Sequence, residues 1–291
     1  MTTTLITILL VSSLAVLLAS AAGGLGAILL GFGRQSLAVG GSGSVSVDGS
    51  AALLRRGAAI GLIIAFALLV AALVVRTVLI GHAPWSNLHE FSLAFAAALI
   101  GTHLVLARTH PLDGLAPLTA LLAAGLVIFA LGLDNRIDQL VPALQQPLLL
   151  TVHVGAAVLA YAVSGVAFVA AAAEIGQARI GDRIPMLPSA AAARAIGHRA
   201  VLIAFPILTI AIALGSVWAN LAWRSYWNND PKELAAAATW LVFGAYLHVA
   251  GRRDRWERLA PWLIVLGFAG VLFTYIGAGL FFIGEHSYAA P

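Results

Sequence analysis

Eight predominantly apolar runs follow one another along the chain, and each is read as one membrane-spanning helix. A bilayer core about 30 Å thick needs roughly 20 apolar residues of α-helix. The sequence therefore predicts a helix for each run, joined by short polar segments. The predicted spans are about 4–30, 57–80, 87–107, 115–133, 147–173, 198–217, 234–250 and 260–285.

The low charge content excludes a soluble domain of this length. Only 10% of the 291 residues are charged and 61% are hydrophobic, whereas a soluble surface needs far more charge. We therefore predict an all-α fold, a polytopic transmembrane helical bundle of about eight spans. Residues 1–291 would form a single integral membrane domain. The N-terminal run lacks a positively charged start, so we expect a first span and not a cleaved signal.

Basic residues set the expected orientation of the bundle. With the N-terminus outside, the inner loops hold twelve Arg residues, and the outer segments hold two Arg and one Lys. This positive-inside bias places both termini on the outer face of the inner (cytoplasmic) membrane. A Gly/Ser-rich stretch makes 31–56 an expected flexible inner loop. No basic stripe interleaved with aromatic residues is present, so no nucleic-acid partner is expected.

The stretch LGSVWANLAWRSYWNNDPKE, residues 214–233, is the densest aromatic and polar cluster in the chain. We call it the Trp-rich segment. Tryptophan belts at membrane interfaces are routine, but anchoring does not require this density. Both an anchor and a ligand platform therefore stay open for Trp218, Trp223, Tyr226 and Trp227. Three other tryptophans are adequately explained as interfacial anchors: Trp85, Trp256 and Trp262.

The end of the Trp-rich segment has the pattern of a helix start. Asp230 is placed as the N-cap, Pro231 as the first helical residue and Glu233 as the third. This is a capping-box pattern, with proline where its missing N–H is not needed. We expect the seventh span to run inward from this point.

Helical rise sorts the histidines by depth. His153 and His286 lie near the outer ends of the fifth and eighth spans, level with the Trp-rich segment. His248 lies roughly 22 Å inward and His103 reaches a similar depth, at about 1.5 Å per residue. Two imidazoles at one level beside a tryptophan surface suit haem, whose iron takes axial histidines. A lone interfacial His is more often a polar anchor, whereas ionisable groups deep in a span tend to be functional.

Arg76 and Glu90 are the ionisable residues near the outer ends of the second and third spans. We expect them to pair with each other or to extend toward the interface. A role beside a haem entry is the weaker alternative.

From about residue 80 to the end, several blocks resemble the CcsA/ResC family of cytochrome c assembly proteins. These are haem handling proteins of the system II attachment pathway. The Trp-rich segment is similar to the family's WWD segment and ends in the same Asp-Pro-Lys-Glu. The other similar blocks are HAPWSNLHEFSLAFA, HVGAAVLAYAVSGVAF from His153, TWLVFGAYLH ending at His248, and GEHSYA around His286.

The resemblance implies a set of haem ligands. Haem b would lie against the Trp-rich segment with His153 and His286 as axial ligands. His248, the family's buried histidine, would contribute to a second haem site within the membrane. The other ligand there would come from a CcsB/ResB-like membrane partner, with His103 as a minor alternative. The cofactor-binding residues expected beside the three histidines are Trp218, Trp223, Arg224, Tyr226, Trp227 and Asp230.

The function implied is presentation of haem at the outer face for thioether attachment to the CxxCH motif of an apocytochrome c. The chain would then be a subunit of a cytochrome c haem lyase or synthetase. It contains no cysteine, so both sulfurs would come from the apocytochrome. Two alternatives stay open: a haem carrier or exporter without ligation activity, and a membrane transporter for another ligand.

The Trp-rich segment departs from the family pattern at two positions. In AWRSYWNNDPKE, Arg224 stands where the family has Gly and Asn229 stands where it has Trp. The lost indole removes stacking area beside a macrocycle. Arg pairs well with carboxylates, so Arg224 is expected to reach the haem propionates.

Overall fold

The computed structural model describes residues 2–38, 49–136, 147–184, 186–252 and 256–285. Within these ranges the fold is all-α, as predicted, with eight long helices. A 3₁₀ turn, Asp113–Leu115, precedes the fourth, and a π-helical segment, Phe273–Gly277, joins the eighth to a short α9, Ala278–Phe281. The long helices are α1 (Thr2–Ala38), α2 (Gly49–Ile80), α3 (Leu88–Leu106), α4 (Ala116–Leu131), α5 (Pro147–Ile180), α6 (Ala190–Trp223), α7 (Pro231–Val249) and α8 (Trp256–Leu272).

Seven helical stretches in the described residues are long and apolar enough to cross a membrane, and α7 is not among them. Its 19 residues still cover about 28 Å at 1.5 Å per residue, close to a bilayer core. Several helices extend past the predicted spans, because polar residues continue them beyond the apolar run. The predicted loop at 31–56 is partly helical, since α1 continues to Ala38 and α2 begins at Gly49; residues 39–48 lie outside the described part.

Successive helices run in opposite directions, so alternate helix ends meet. At one end of the bundle, Arg76 of α2 bonds to Glu90 in the first turn of α3. The neighbouring His89 bonds through Nδ1 to the carbonyl oxygen of Ala130, near the end of α4, at 2.8 Å. Gly284, which follows α9, lies against Asp230, which precedes α7. These contacts bring the ends of α2 and α4 to the start of α3, and the residues after α9 to the start of α7.

The centre of the bundle is formed by α3, α4 and α5, whose spans are about two-thirds buried. Helix α3 packs on α2, α4 and α5, and α5 packs on α6 and α8. Most of the buried residues in these helices are Ala, Val and Leu, and small side chains allow the close van der Waals packing that holds membrane helices together. Apolar side chains such as Leu29, Val78 and Ile210 are exposed on α1, α2 and α6. Lipid would cover that surface.

The predicted pair of Arg76 and Glu90 is confirmed as a buried ion pair. Arg76 Nε donates to Glu90 Oε1 at 2.7 Å, and both side chains are at most 5% exposed. Arg76 Nη2 also donates to the carbonyl oxygen of Asn135, and Glu90 Oε2 accepts from the backbone N–H and hydroxyl of Ser86. Because each buried charge has several partners, the pair fixes α2, α3 and the segment after α4 to one another.

Candidate functional site

A cavity of about 190 Å³ lies at the end of the bundle where α3, α5 and α7 begin. A single water needs roughly 10–15 Å³ by the same measure, so the cavity accepts a much larger ligand. The end of α6, the Trp-rich segment and the π-helical segment after α8 complete its walls. The polar and aromatic lining residues are Trp85, Asn87, Phe91, His153, Tyr161, Ser216, Trp218, Tyr226, Trp227, Lys232, Glu233, Thr274 and Tyr275.

His153 is held in one wall of this cavity by α6. Its Nδ1 lies 2.9 Å from the carbonyl oxygen of Ala211, and a neutral imidazole therefore carries its proton on Nδ1. The lone pair is then on Nε2, an atom that histidine uses to bind metals. The absence of a side chain at Gly215 leaves room for the imidazole ring, because a Cβ there would lie 2.7 Å from His153 Cε1. The ring is parallel to the Trp218 indole, with centroids 6.2 Å apart.

Trp218 and Trp223 form an aromatic pair at the end of α6, in which Trp218 is buried and Trp223 is half-buried. Their ring centroids are 4.7 Å apart in an edge-on arrangement, which aromatic quadrupoles favour. Trp218 is 2% exposed and packs with Leu150 near the start of α5. Trp223 packs against this pair but does not line the cavity. Trp223 thus supports the wall that Trp218 presents.

Arg224 ends α6 in a left-handed conformation. Its φ is +64°, and its backbone N–H donates to the carbonyl oxygen of Asn220. Left-handed C-caps favour glycine because it has no Cβ to clash. This backbone geometry accounts for the glycine that the family pattern has here. The Arg224 side chain is exposed and does not line the cavity, so its expected place beside a ligand carboxylate is not supported by the structure.

Hydrogen bonds fix the part of the Trp-rich segment that connects α6 to α7. Ser216 Oγ donates to the carbonyl oxygen of Tyr226 at 2.8 Å. The Trp227 indole N–H donates to Asn229 Oδ1 at 2.9 Å, and Asn229 has a φ of +56°, a conformation that asparagine tolerates. Tyr226 and Trp227 both line the cavity, and each is also exposed at the surface of the protein.

The start of α7 has the predicted capping box. Asp230 accepts from the backbone N–H of Lys232, and Glu233 Oε2 accepts from the backbone N–H of Asp230 and of Asn228. Asp230 is 4% exposed and lies outside the cavity lining. A Cβ on Gly284 would clash with Asp230 Oδ2 and lie 2.8 Å from Pro231 Cδ. Gly284 therefore lies directly against this cap.

The wall opposite the Trp-rich segment is aromatic and was not predicted. Phe91 of α3 and Tyr275 of the π-helical segment stack with centroids 5.1 Å apart, and Tyr275 also bonds to Ser92. Tyr161 of α5 lies beside Phe91 at 6.3 Å. A π-helical turn often marks a functional site, because it redirects side chains within a helix. Trp85 also lines the cavity. The block HAPWSNLHEFSLAFA, which contains Trp85, was the sequence feature that could have indicated this position.

The structure brings four of the predicted site residues into one cavity: His153, Trp218, Tyr226 and Trp227. Trp223 and Asp230 adjoin this group, the first behind Trp218 and the second in the α7 cap. Arg224 is exposed and does not line the cavity. His286 lies outside the described residues, two positions after Gly284.

His248 is not buried, contrary to expectation. It lies in the last turn of α7 with an exposed side chain, and its Nε2 is 3.2 Å from Arg252 Nη2. His248 lies at the end of α7 remote from the capping box, with its side chain on the surface of the described structure. His103 is buried and bonds through Nδ1 to Thr119 Oγ1 at 2.8 Å. Because α3 packs on α2, α4 and α5 and α7 packs on α6 and α8, the structure does not support a pair of His103 and His248.

The cavity suits a flat, largely apolar ligand with one coordinating centre. Its walls are aromatic and aliphatic, and one imidazole in them carries a lone pair for a metal. Parallel rings of His153 and Trp218 form one side, and Phe91 with Tyr275 forms another. A metalloporphyrin has these properties, and its iron takes axial imidazoles.

Residues 85–286 match the model of a protein family described as cytochrome C assembly protein. This match covers more than half of the chain and includes every cavity residue given above. The chain therefore belongs to the cytochrome c assembly protein family. It is a multi-pass membrane protein of that family.

Curated relatives agree with this assignment. The cytochrome c biogenesis protein CcsA of Parasynechococcus marenigrum (strain WH8102) is 33% identical over 253 residues, covering 76% of this chain and 82% of the relative. CcsA of Chlamydomonas reinhardtii is 37% identical over 237 residues, covering 76% of this chain and 65% of the relative.

Among solved structures, the cytochrome c haem lyase CcmF has a similar fold, with a TM-score of 0.65 at 22% identity. The match covers 93% of this chain and 46% of that one, so this chain corresponds to just under half of CcmF. At this identity the likeness concerns the fold alone.

Proposed function

We propose that this protein binds haem b in the cavity and presents it at the outer face of the membrane for thioether attachment to an apocytochrome c. One observation carries the proposal: His153 and three aromatic residues of the Trp-rich segment line the same cavity. An interfacial anchor would spread such residues around the bundle, facing lipid. A cavity walled by them favours a bound ligand.

His153 and His286 are proposed as the two axial ligands. The bond between His153 Nδ1 and the Ala211 carbonyl oxygen orients the ring and fixes the proton of a neutral imidazole on Nδ1. Gly284 lies against Asp230 at the edge of the Trp-rich segment. His286 follows Gly284 by two residues, a length of chain that spans at most about 7 Å, and this short separation supports it as the second ligand. Trp218, Tyr226 and Trp227 would contact the macrocycle, with Trp223 and Asp230 fixing their positions.

The reaction proposed for the complex is addition of two cysteine thiols across the two vinyl groups of haem. Each addition breaks a vinyl C=C π bond and an S–H bond and forms one C–S and one C–H bond. The chemistry belongs to haem and thiol, while this chain holds haem in place. Both sulfurs are supplied by the CxxCH motif of the apocytochrome, since the chain has no cysteine.

A CcsB/ResB-like membrane partner is proposed to complete the complex in the inner (cytoplasmic) membrane. His248 is exposed on α7 at the end of the helix remote from the capping box. An ionisable residue facing lipid is costly, so a partner helix is the natural neighbour. Such a helix would supply the second ligand of an inner haem site at His248.

The test is the absorption spectrum of the detergent-purified protein, oxidised and reduced. We expect six-coordinate haem b in the wild type and loss of that spectrum in the double variant His153→Ala with His286→Ala. Haem retained in the double variant would exclude these ligands. No haem in the wild type, even with the partner co-expressed, would favour a transporter for another ligand.

A haem carrier without ligation activity is the second candidate, favoured by Asn229 in place of the family's Trp. Co-expression with the partner and a CxxCH apocytochrome separates the two. Covalent haem on the apocytochrome supports attachment, whereas bound haem without covalent product supports the carrier.

A further inference from the structure

Lys232 is the lysine in the cavity lining, and the proposed haem-binding function gives this residue no role. None of the Arg residues that the structure describes lines the cavity, and Arg224 is exposed. Lys232 follows the capping residue Asp230 and is half-buried. Its Cε passes 3.9 Å from the position that a Cβ on Gly279 would take, so the side chain runs between the start of α7 and α9.

The carboxylates near Lys232 are already engaged in the α7 cap. Asp230 Oδ1 accepts from the Lys232 backbone N–H, and Glu233 Oε2 accepts from the backbone N–H groups of Asn228 and Asp230. Among the described residues, none of the ion pairs includes Lys232. An ammonium group in a mostly apolar cavity is stabilised by an anionic partner, and a ligand carboxylate can supply one.

We propose that Lys232 binds a propionate carboxylate of the haem, which rests on the proposed function of the cavity. Haem would then enter with at least one propionate toward the start of α7. This orientation directs the opposite, vinyl-bearing edge away from Lys232. Lys232 is thus a positioning residue, and it takes the role that the sequence suggested for Arg224.

The test compares haem with its dimethyl ester, in which both propionates are neutral. Affinities are measured by absorption titration of the full-length protein in detergent, for the wild type and for Lys232→Gln, Arg224→Gln and Arg136→Gln. Arg136 is the matched control, because its side chain is 81% exposed and its removal also deletes one positive charge.

We expect the wild type to bind haem about tenfold more tightly than the diester, a difference of about 1.4 kcal/mol. Lys232→Gln should lose about tenfold in haem affinity and keep its affinity for the diester. Arg224→Gln and Arg136→Gln should change neither. Lys232→Arg should restore most of the preference for haem.

Three results would overturn the assignment. If the wild type binds haem and diester equally, no propionate contact matters, although the haem function survives. If Lys232→Gln weakens both ligands equally, Lys232 acts on the structure of the cavity and not on the carboxylate. If the wild type binds neither ligand, the haem function itself fails and the Lys232 role with it.

Discussion

Gly215→Ala is expected to displace His153 and thereby to lower haem affinity. The added Cβ would lie 2.7 Å from His153 Cε1 and 3.2 Å from Nδ1, distances that real Cβ atoms rarely show. The ring must move, which endangers its 2.9 Å bond to the Ala211 carbonyl oxygen and its parallel contact with Trp218. If His153 is the axial ligand proposed above, a shift of several tenths of an ångström would spoil its geometry toward the iron.

The expected loss of stability in Gly215→Ala is the sum of three energy terms. Overpacking costs about 1–3 kcal/mol, and loss of the hydrogen bond costs about 0.5–1.5 kcal/mol. Alanine favours the helix over glycine by roughly 0.5–1 kcal/mol, which offsets part of this cost. We therefore expect the free energy of unfolding to fall by about 0.5–4 kcal/mol. The haem affinity should fall at least about tenfold. Thermal unfolding and haem titration in the same detergent measure the two effects.

Two controls isolate the contact with His153. Gly155→Ala lies on α5 two residues from His153 and its Cβ meets nothing within 4 Å, so this variant should keep both stability and haem. In a His153→Ala background, Gly215→Ala has no ring to displace and should no longer destabilise. If Gly215→Ala destabilises the protein equally in both backgrounds, or leaves haem binding unchanged, the reasoning about the ring is refuted.

Three further predictions concern stability, each measured as the shift in thermal unfolding of the detergent-purified protein. Arg224→Gly should raise the stability by about 1 kcal/mol, since glycine removes the strain of a left-handed φ of +64°; a lower midpoint would contradict this. Arg76→Leu should lower it by about 3–5 kcal/mol by leaving Glu90 buried without its cation, and a second change of Glu90→Gln should recover much of the loss. Asp230→Ala should cost about 1 kcal/mol through loss of the α7 cap, whereas Asp230→Asn should retain most of it; equal losses would show that the carboxylate charge matters beyond the cap.

Most of the helical architecture was readable from hydropathy because an apolar run of bilayer length has few alternatives. The ends of the helices were harder to predict. Helix α5 continues to Ile180 and α6 begins at Ala190, beyond the predicted limits of their apolar runs. A hydropathy pattern reports where lipid contacts a helix, while hydrogen bonding continues the helix into polar residues. The capping box at Asp230 was predictable because its signal is local.

The site was predictable on one side only. The Trp-rich segment and His153 were identified by residue type and level, and His153 lines the cavity together with three aromatic residues of that segment. The opposite wall joins Phe91 to Tyr275, far apart in sequence, and no local pattern indicates such a contact. His248 shows the second limit, because a helical rise of about 1.5 Å per residue gives depth without giving the face.

Asn229, which stands where the family pattern has Trp, affects the backbone conformation as well as the area available for stacking. Asn229 adopts a φ of +56°, where asparagine is tolerated and a large side chain such as tryptophan is disfavoured. A tryptophan there would favour a different backbone path between Trp227 and Asp230. In this chain, Asn229 instead accepts the indole N–H of Trp227 at 2.9 Å, and Ser216 holds the carbonyl oxygen of Tyr226. The segment has one indole fewer than the family pattern that it resembles, and hydrogen bonds from both flanks fix its remaining aromatic residues, which is compatible with the proposed haem contact.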